Sequence, residues 1–130
     1  MTATHGMDAG VQLVALLKQQ RLTYPQLKIL TDRRGQMVGS DSPELALQFI
    51  FGRRKLLQKL NEIESKLRPI KAQWGRIADQ CDSKEIAHAC ELAAEVGEIV
   101  EELESADEAF GATPLPERCR FDEVFAPATV

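Results

Sequence analysis

The chain is poor in the parts from which catalytic and metal sites are built. Its only histidines are His5 and His88, and they stand far apart in the sequence. No glycine-rich phosphate cradle, paired zinc motif or nucleophile elbow occurs, so no enzyme activity, cofactor or metal is expected. The single Glu85-Ile-Ala-His88 run has the spacing of a dimetal-bundle motif, but such a site needs a second copy on a facing helix and the chain has none. The cysteines, Cys81, Cys90 and Cys119, are odd in number and do not make a disulfide framework. A reducing compartment is the simpler setting, with Cys81 or Cys90 read as a buried structural thiol. Aromatic residues are only 5 % of the chain. There is no apolar run of membrane-spanning length, and no basic start followed by an apolar stretch as in a signal peptide. A cytoplasmic location without an integral membrane segment is therefore expected.

What remains is a helical chain of ordinary globular composition, with 44 % apolar and 28 % charged residues. Its clearest feature is a seam at alternating steps of four and three: Phe49, Arg53, Leu56, Leu60, Ile63, Leu67, Ile70, Trp74, Ile77 and Cys81. That rhythm puts one stripe on one face of a long helix, with Arg53 its only charged member. An uncovered stripe of that length does not hold a helix together in water, so it must meet other helices.

The net charge is −4, which speaks against a nucleic-acid-binding domain. The charge is also divided. Between Glu44 and Ile77 eight bases, Arg53, Arg54, Lys55, Lys59, Lys66, Arg68, Lys71 and Arg76, outnumber three acids; between Asp82 and Glu108 ten acids face one base, Lys84. A basic helix followed by an acidic one invites direct antiparallel pairing. The Arg53-Arg54-Lys55 cluster reads as neutralising the acidic helix, and Glu91, Glu95, Glu98 and Glu102 read as a solvated ridge.

The expected fold is all-α: a long antiparallel helical hairpin with an additional N-terminal helix, as a three-helix bundle or coiled-coil-like arrangement. Residues 1–7 are expected to be a flexible arm, 8–110 the helical domain, and 111–130 a proline-containing flexible tail. Helix one starts near Asp8 and carries Leu13, Leu16, Leu17, Tyr24, Leu27 and Leu30, with Pro25 as a kink. Helix two starts at Pro43 after a Ser42 cap, or after an Asp41–Glu44 capping box, and runs to Gln80 through Pro69. Asp82-Ser83-Lys84-Glu85 is a capping box for helix three, which presents Ile86, Ala89, Ala93, Val96, Val100 and Leu103, with Cys90, Ile99 and Ala106 widening the stripe.

The runs LVALLKQQRLTY (Leu13–Tyr24), LQKLNEI (Leu57–Ile63), LRPIKAQW (Leu67–Trp74) and IVEELESAD (Ile99–Asp107) together resemble the FlgN-like flagellar export chaperones. The resemblance implies a cytoplasmic helical chaperone for hook-filament junction (hook-associated) proteins. It implies binding of the client's C-terminal amphipathic region, prevention of premature assembly and delivery to the export gate. That is helix-in-groove recognition, with no covalent step. Patterning then offers as client-binding surface the distal half of helix three, Val96, Ile99, Val100, Leu103 and Phe110. Leu115, Phe121 and Phe125 of the tail would cover it when no client is bound. The competing assignment puts Val96, Val100 and Leu103 in the intramolecular core. The alternative function is a homodimeric or larger helical scaffold or adaptor.

Overall fold

The computed structural model describes residues 5–39, 41–77, 81, 83–110, 115 and 118, with the side chains of 5–8, 77 and 107–110 left aside. Among the described residues the chain is all-α, with no strand. The elements are α1 (His5–Asp32), α2 (Arg34–Val38), α3 (Pro43–Ala72), α4 (Trp74–Ile77) and α5 (Ser83–Phe110).

Helix starts and stops follow local chemistry. Ser42 caps α3 through its hydroxyl, which accepts from the Leu45 amide at 3.4 Å, and Pro43 takes the first helical position, where its missing N–H is not needed. Both internal prolines are tolerated: α1 continues through Pro25 and α3 through Pro69. The long helix instead ends at Ala72, one residue before Gln73, and resumes for a single turn as α4. The Gln73 amide still reaches back to the Pro69 carbonyl at 3.1 Å. Helix one is likewise followed by a short second piece, because the Arg33 amide divides its bond between the Ile29 and Leu30 carbonyls and α2 starts at once. The glycines at 35 and 39 therefore do not bound an open loop: Gly35 lies within α2 and Gly39 closes it.

The heptad seam is the buried face of α3. Phe49, Arg53, Leu60, Ile63, Leu67 and Ile70 are buried, and Trp74 of α4 extends the line. Its main cover is α1. Leu13, Leu16 and Leu17 of α1 pack with Ile63, Leu67, Ile70 and Trp74, and with Ala89 and Leu92 of α5. A second cluster joins Tyr24 and Leu27 to Leu60, Val96, Val100 and Leu103. Each fully buried side chain of this size stabilises by about 1.5–3 kcal/mol.

The contact order fixes the directions. Gly10 lies against Cys81 and Glu85, Arg21 pairs with Glu95, and Tyr24 and Leu27 meet Val96 to Leu103, so α1 and α5 run parallel. Gly52 lies near Leu30 while Leu67 and Ile70 sit with Leu13 and Leu17, so α3 runs antiparallel to α1. The direct hairpin of the basic and acidic helices expected from charge is thus corrected. The most extensive packing is between α1 and α5, next comes α1 with α3, and α3 touches α5 chiefly by side chains. The reason lies in side-chain size: the first half of the α5 stripe is alanine-rich, and the leucines of α1 are needed to fill the space above it.

Candidate helix-binding surface

Most of the side chains assigned to client binding from patterning serve the core. Val96 and Leu103 are fully buried and Val100 nearly so, all packed on Tyr24, Leu27 and Leu60. Ile99 is half-buried at the edge of the same cluster. Leu115, from beyond α5, packs on that cluster too. The side chain of Phe110, and Phe121 and Phe125 altogether, lie outside the described residues. The other tail residue described, Arg118, sits beside α5: a Cβ on Gly97 would lie 3.7 Å from its Nη2. Among the described residues, the apolar side chains of the distal half of α5 pack on α1, α3 and Leu115.

A polar layer separates the two apolar clusters. Gln20 and Glu64 are both buried, and Gln20 Nε2 donates to Glu64 Oε2 at 2.6 Å. Tyr24 follows one turn later in α1, and its buried hydroxyl has no hydrogen-bond partner among the described residues. Burial pushes its phenol well above the ordinary tyrosine range. Glu64 adds to that shift, Arg118 opposes it, and Glu104 adds a little more. Thr23, also buried, donates from its hydroxyl to the Gln19 carbonyl at 2.7 Å, a bond within its own helix. Sequence reasoning missed Gln20 and Glu64 as interior residues because both are polar. Their positions gave the signal: Gln20 continues the Leu13, Leu16, Leu17 rhythm towards Tyr24, and Glu64 falls between Leu60 and Leu67 at helical spacing.

The exposed apolar surface lies elsewhere. Val11, Leu22 and Ile29 of α1 are 59 %, 66 % and 54 % exposed. With Ala15 they form one row along the outer face of α1, at steps of four and seven, with exposed Lys18 between them. A helix that is apolar on its inner and outer faces alike has the pattern of one meant to be covered on both. At its C-terminal end the row enters a groove of about 890 Å³ between α1 and α3, with Met37 of α2 also in its lining. Ile29, Leu30 and Leu56 line its floor and Arg33, Lys55 and Lys59 stand at its rim, with Glu62 among the lining residues. The first turns of α3 add exposed Leu45, Leu47, Ile50 and Phe51. On the other side of α3 a second groove is lined by Arg34, Phe49, Ile50, Arg53 and Arg54, with the Arg34 guanidinium 5.7 Å from the Phe49 ring.

Glu85 and His88 do line one shallow pocket, but their companions there are Val11, Val14, Ala15, Lys18 and Lys84. Among the described residues no three His, Cys, Asp or Glu side chains converge as a metal site would require. Cys90, expected as a candidate for burial, is exposed, because it falls between the inward positions of α5; Cys81 is half-buried, with its thiol pushed up first by desolvation and then by Glu85. Among the described residues no helix is long and apolar enough to cross a membrane. Comparison with protein-family models, with curated proteins and with solved structures finds no match for this chain.

Proposed function

We propose that this chain is a non-catalytic, cytoplasmic export chaperone. It holds the C-terminal amphipathic region of flagellar hook-filament junction proteins, prevents their premature assembly and hands them to the export apparatus. One observation carries the binding half of this reading: the uncovered apolar row on the outer face of α1, leading into the α1–α3 groove. A three-helix core that leaves such a row open is completed by a fourth helix laid along it, as in helix-in-groove recognition. The flagellar half rests on the sequence resemblance. The client seat is accordingly moved from the distal half of α5, whose apolar side chains fill the core, to the outer face of α1.

The test is complex formation between the purified chain and junction proteins, read by light scattering after size separation. A one-to-one complex that is lost when the client's C-terminal helix is deleted supports the chaperone. A second reading, a homo-oligomeric scaffold or adaptor, is favoured by the exposed Leu45, Leu47, Ile50 and Phe51 at the start of α3. A defined oligomer that ignores every junction protein would replace the first reading with the second.

A further inference from the structure

We propose that the occupant of the α1–α3 groove is an acidic amphipathic helix of another protein, which enters with its apolar stripe down and its carboxylates towards the rim. This rests on the helix-binding reading above and names the chemical class of the partner. Both walls have helical periodicity. Gln26, Ile29 and Leu30 of α1 and Arg33, just past its end, stand at i, i+3, i+4 and i+7, and Gly52, Lys55, Leu56 and Lys59 repeat that spacing on α3. Each wall thus gives apolar positions to the floor and cations to the edge. Two antiparallel helices with such walls make a trough for a third helix. The two walls come close at Gly52, where a Cβ would lie 3.4 Å from Leu30 Cδ2, an ordinary contact distance.

The charge selects the occupant. Arg33, Lys55 and Lys59 at the rim are opposed by Glu62 alone among the lining residues, and Lys18 continues the basic edge along the outer face of α1. A second copy packed through the same face would set these cations against their own counterparts. A second copy offering its acidic α5 would bring charge without a stripe, because among the described residues none of the exposed large apolar side chains belongs to α5. A planar anionic bilayer matches the charge but not a concave trough. A helix carrying both carboxylates and an apolar stripe satisfies floor and rim together.

The test uses the full chain and two labelled synthetic peptides with the same leucine stripe, one flanked by glutamate and the other by lysine. Fluorescence anisotropy reads their affinities at low and high salt. The chain's net charge of −4 would by itself draw the lysine peptide, so a preference for the glutamate peptide reports the groove. The expected result is about tenfold tighter binding of the glutamate peptide at low salt, the sum of a few exposed ion pairs, with the gap narrowing as salt rises. Lys55→Glu with Lys59→Glu, both at exposed positions, should remove the preference while helicity and unfolding midpoint stay unchanged. Ile29→Ser should weaken both peptides.

Equal affinities, a lysine-peptide preference, or no binding of either peptide would overturn the inference. So would a concentration-dependent dimer abolished by Ile29→Ser, or binding to anionic vesicles without binding to the glutamate peptide. A junction-protein complex that survives the double charge reversal would overturn the assigned occupant and leave the chaperone reading standing. Loss of selective peptide binding and of the junction-protein complex in separate experiments are therefore distinguishable failures.

Discussion

Tyr24→Phe should stabilise this protein, against the usual direction of a core substitution. The Tyr24 side chain is fully buried and its hydroxyl has no hydrogen-bond partner among the described residues. Burying a hydroxyl unpaired costs about 1–3 kcal/mol. Phenylalanine keeps the ring against Leu27, Leu60 and Val96, and the vacated oxygen leaves a void smaller than a methyl group, costing under about 1 kcal/mol. The net gain is about 1 kcal/mol at neutral pH, read as a higher urea midpoint with an unchanged slope. The alkaline limb gives an independent check. The folded-state phenol is held above its ordinary value by burial, with Glu64 adding to the effect. The native state therefore keeps its proton after the unfolded chain has lost it. Stability falls as pH rises past about 10, by up to about 1.4 kcal/mol per unit, until the folded phenol also ionises. Tyr24→Phe should remove that component from the slope, and the wild-type-minus-variant difference isolates it from the lysines. Because Tyr24 is the only tyrosine, tyrosinate absorbance follows this one group. A loss of more than about 0.5 kcal/mol in the variant at neutral pH, beyond the ordinary scatter of surface changes, would mean that the hydroxyl has a partner and would refute the reasoning. Titration of the folded protein at the ordinary tyrosine value would refute the burial argument.

Three further substitutions examine other parts of the bundle. Gln20→Leu removes the donor that meets Glu64 at 2.6 Å and should cost about 1.5–3 kcal/mol in urea unfolding, the range for a hydrogen bond to a charged group; an unchanged midpoint would show that the bond contributes nothing. Gly97→Ala should raise stability by about 1 kcal/mol through helix propensity, because the new methyl meets only Arg118 Nη2 at ordinary contact distance, and a lower melting temperature would contradict that placement of Arg118. Leu115→Ser should lose about 1 kcal/mol, since roughly half of a leucine side chain is withdrawn from the Leu103 cluster, and should speed amide exchange in the distal turns of α5; no change in either would mean that residue 115 does not cover the cluster.

The fold was legible where one side-chain class repeats at helical spacing. The Phe49–Trp74 seam, the Ser42–Pro43 start of α3 and the start of α5 at Ser83 all stand in the structure. The order of packing was not legible, because charge was asked to decide it. Exposed ion pairs contribute about 0.2–1 kcal/mol each, less than one buried leucine, so opposite charge on α3 and α5 does not outweigh the apolar area that α1 offers to both. The ion pair seen between α5 and a neighbour goes to Arg21 of α1, at 2.9 Å. Pro25 and Pro69 were legible as interior prolines: each removes one amide donor, yet the apolar rhythm continues past it, and the packed Tyr24 and Leu27, and Leu67 and Ile70, hold the backbone helical on both sides.

The proposed client surface moves for a related reason: Val96, Val100 and Leu103, assigned to it from patterning, are buried in the core. A single sequence shows that a helix has an apolar stripe but not which stripe stays uncovered. The stripe of α5 is wide, and among the described residues it packs on α1, α3 and Leu115. On α1, by contrast, Val11, Leu22 and Ile29 face outward. Their spacing sets them off from the inward line of Leu13, Leu17, Tyr24 and Leu27 in a way the sequence does contain, as two stripes on one helix. Counting helices against stripes then gives the missing step. Three long helices offer four long apolar faces, two of them on α1, and the fold pairs only the inner ones. The remaining face lies beside the basic edge of the α1–α3 groove, so whatever covers it must bring both apolar side chains and negative charge.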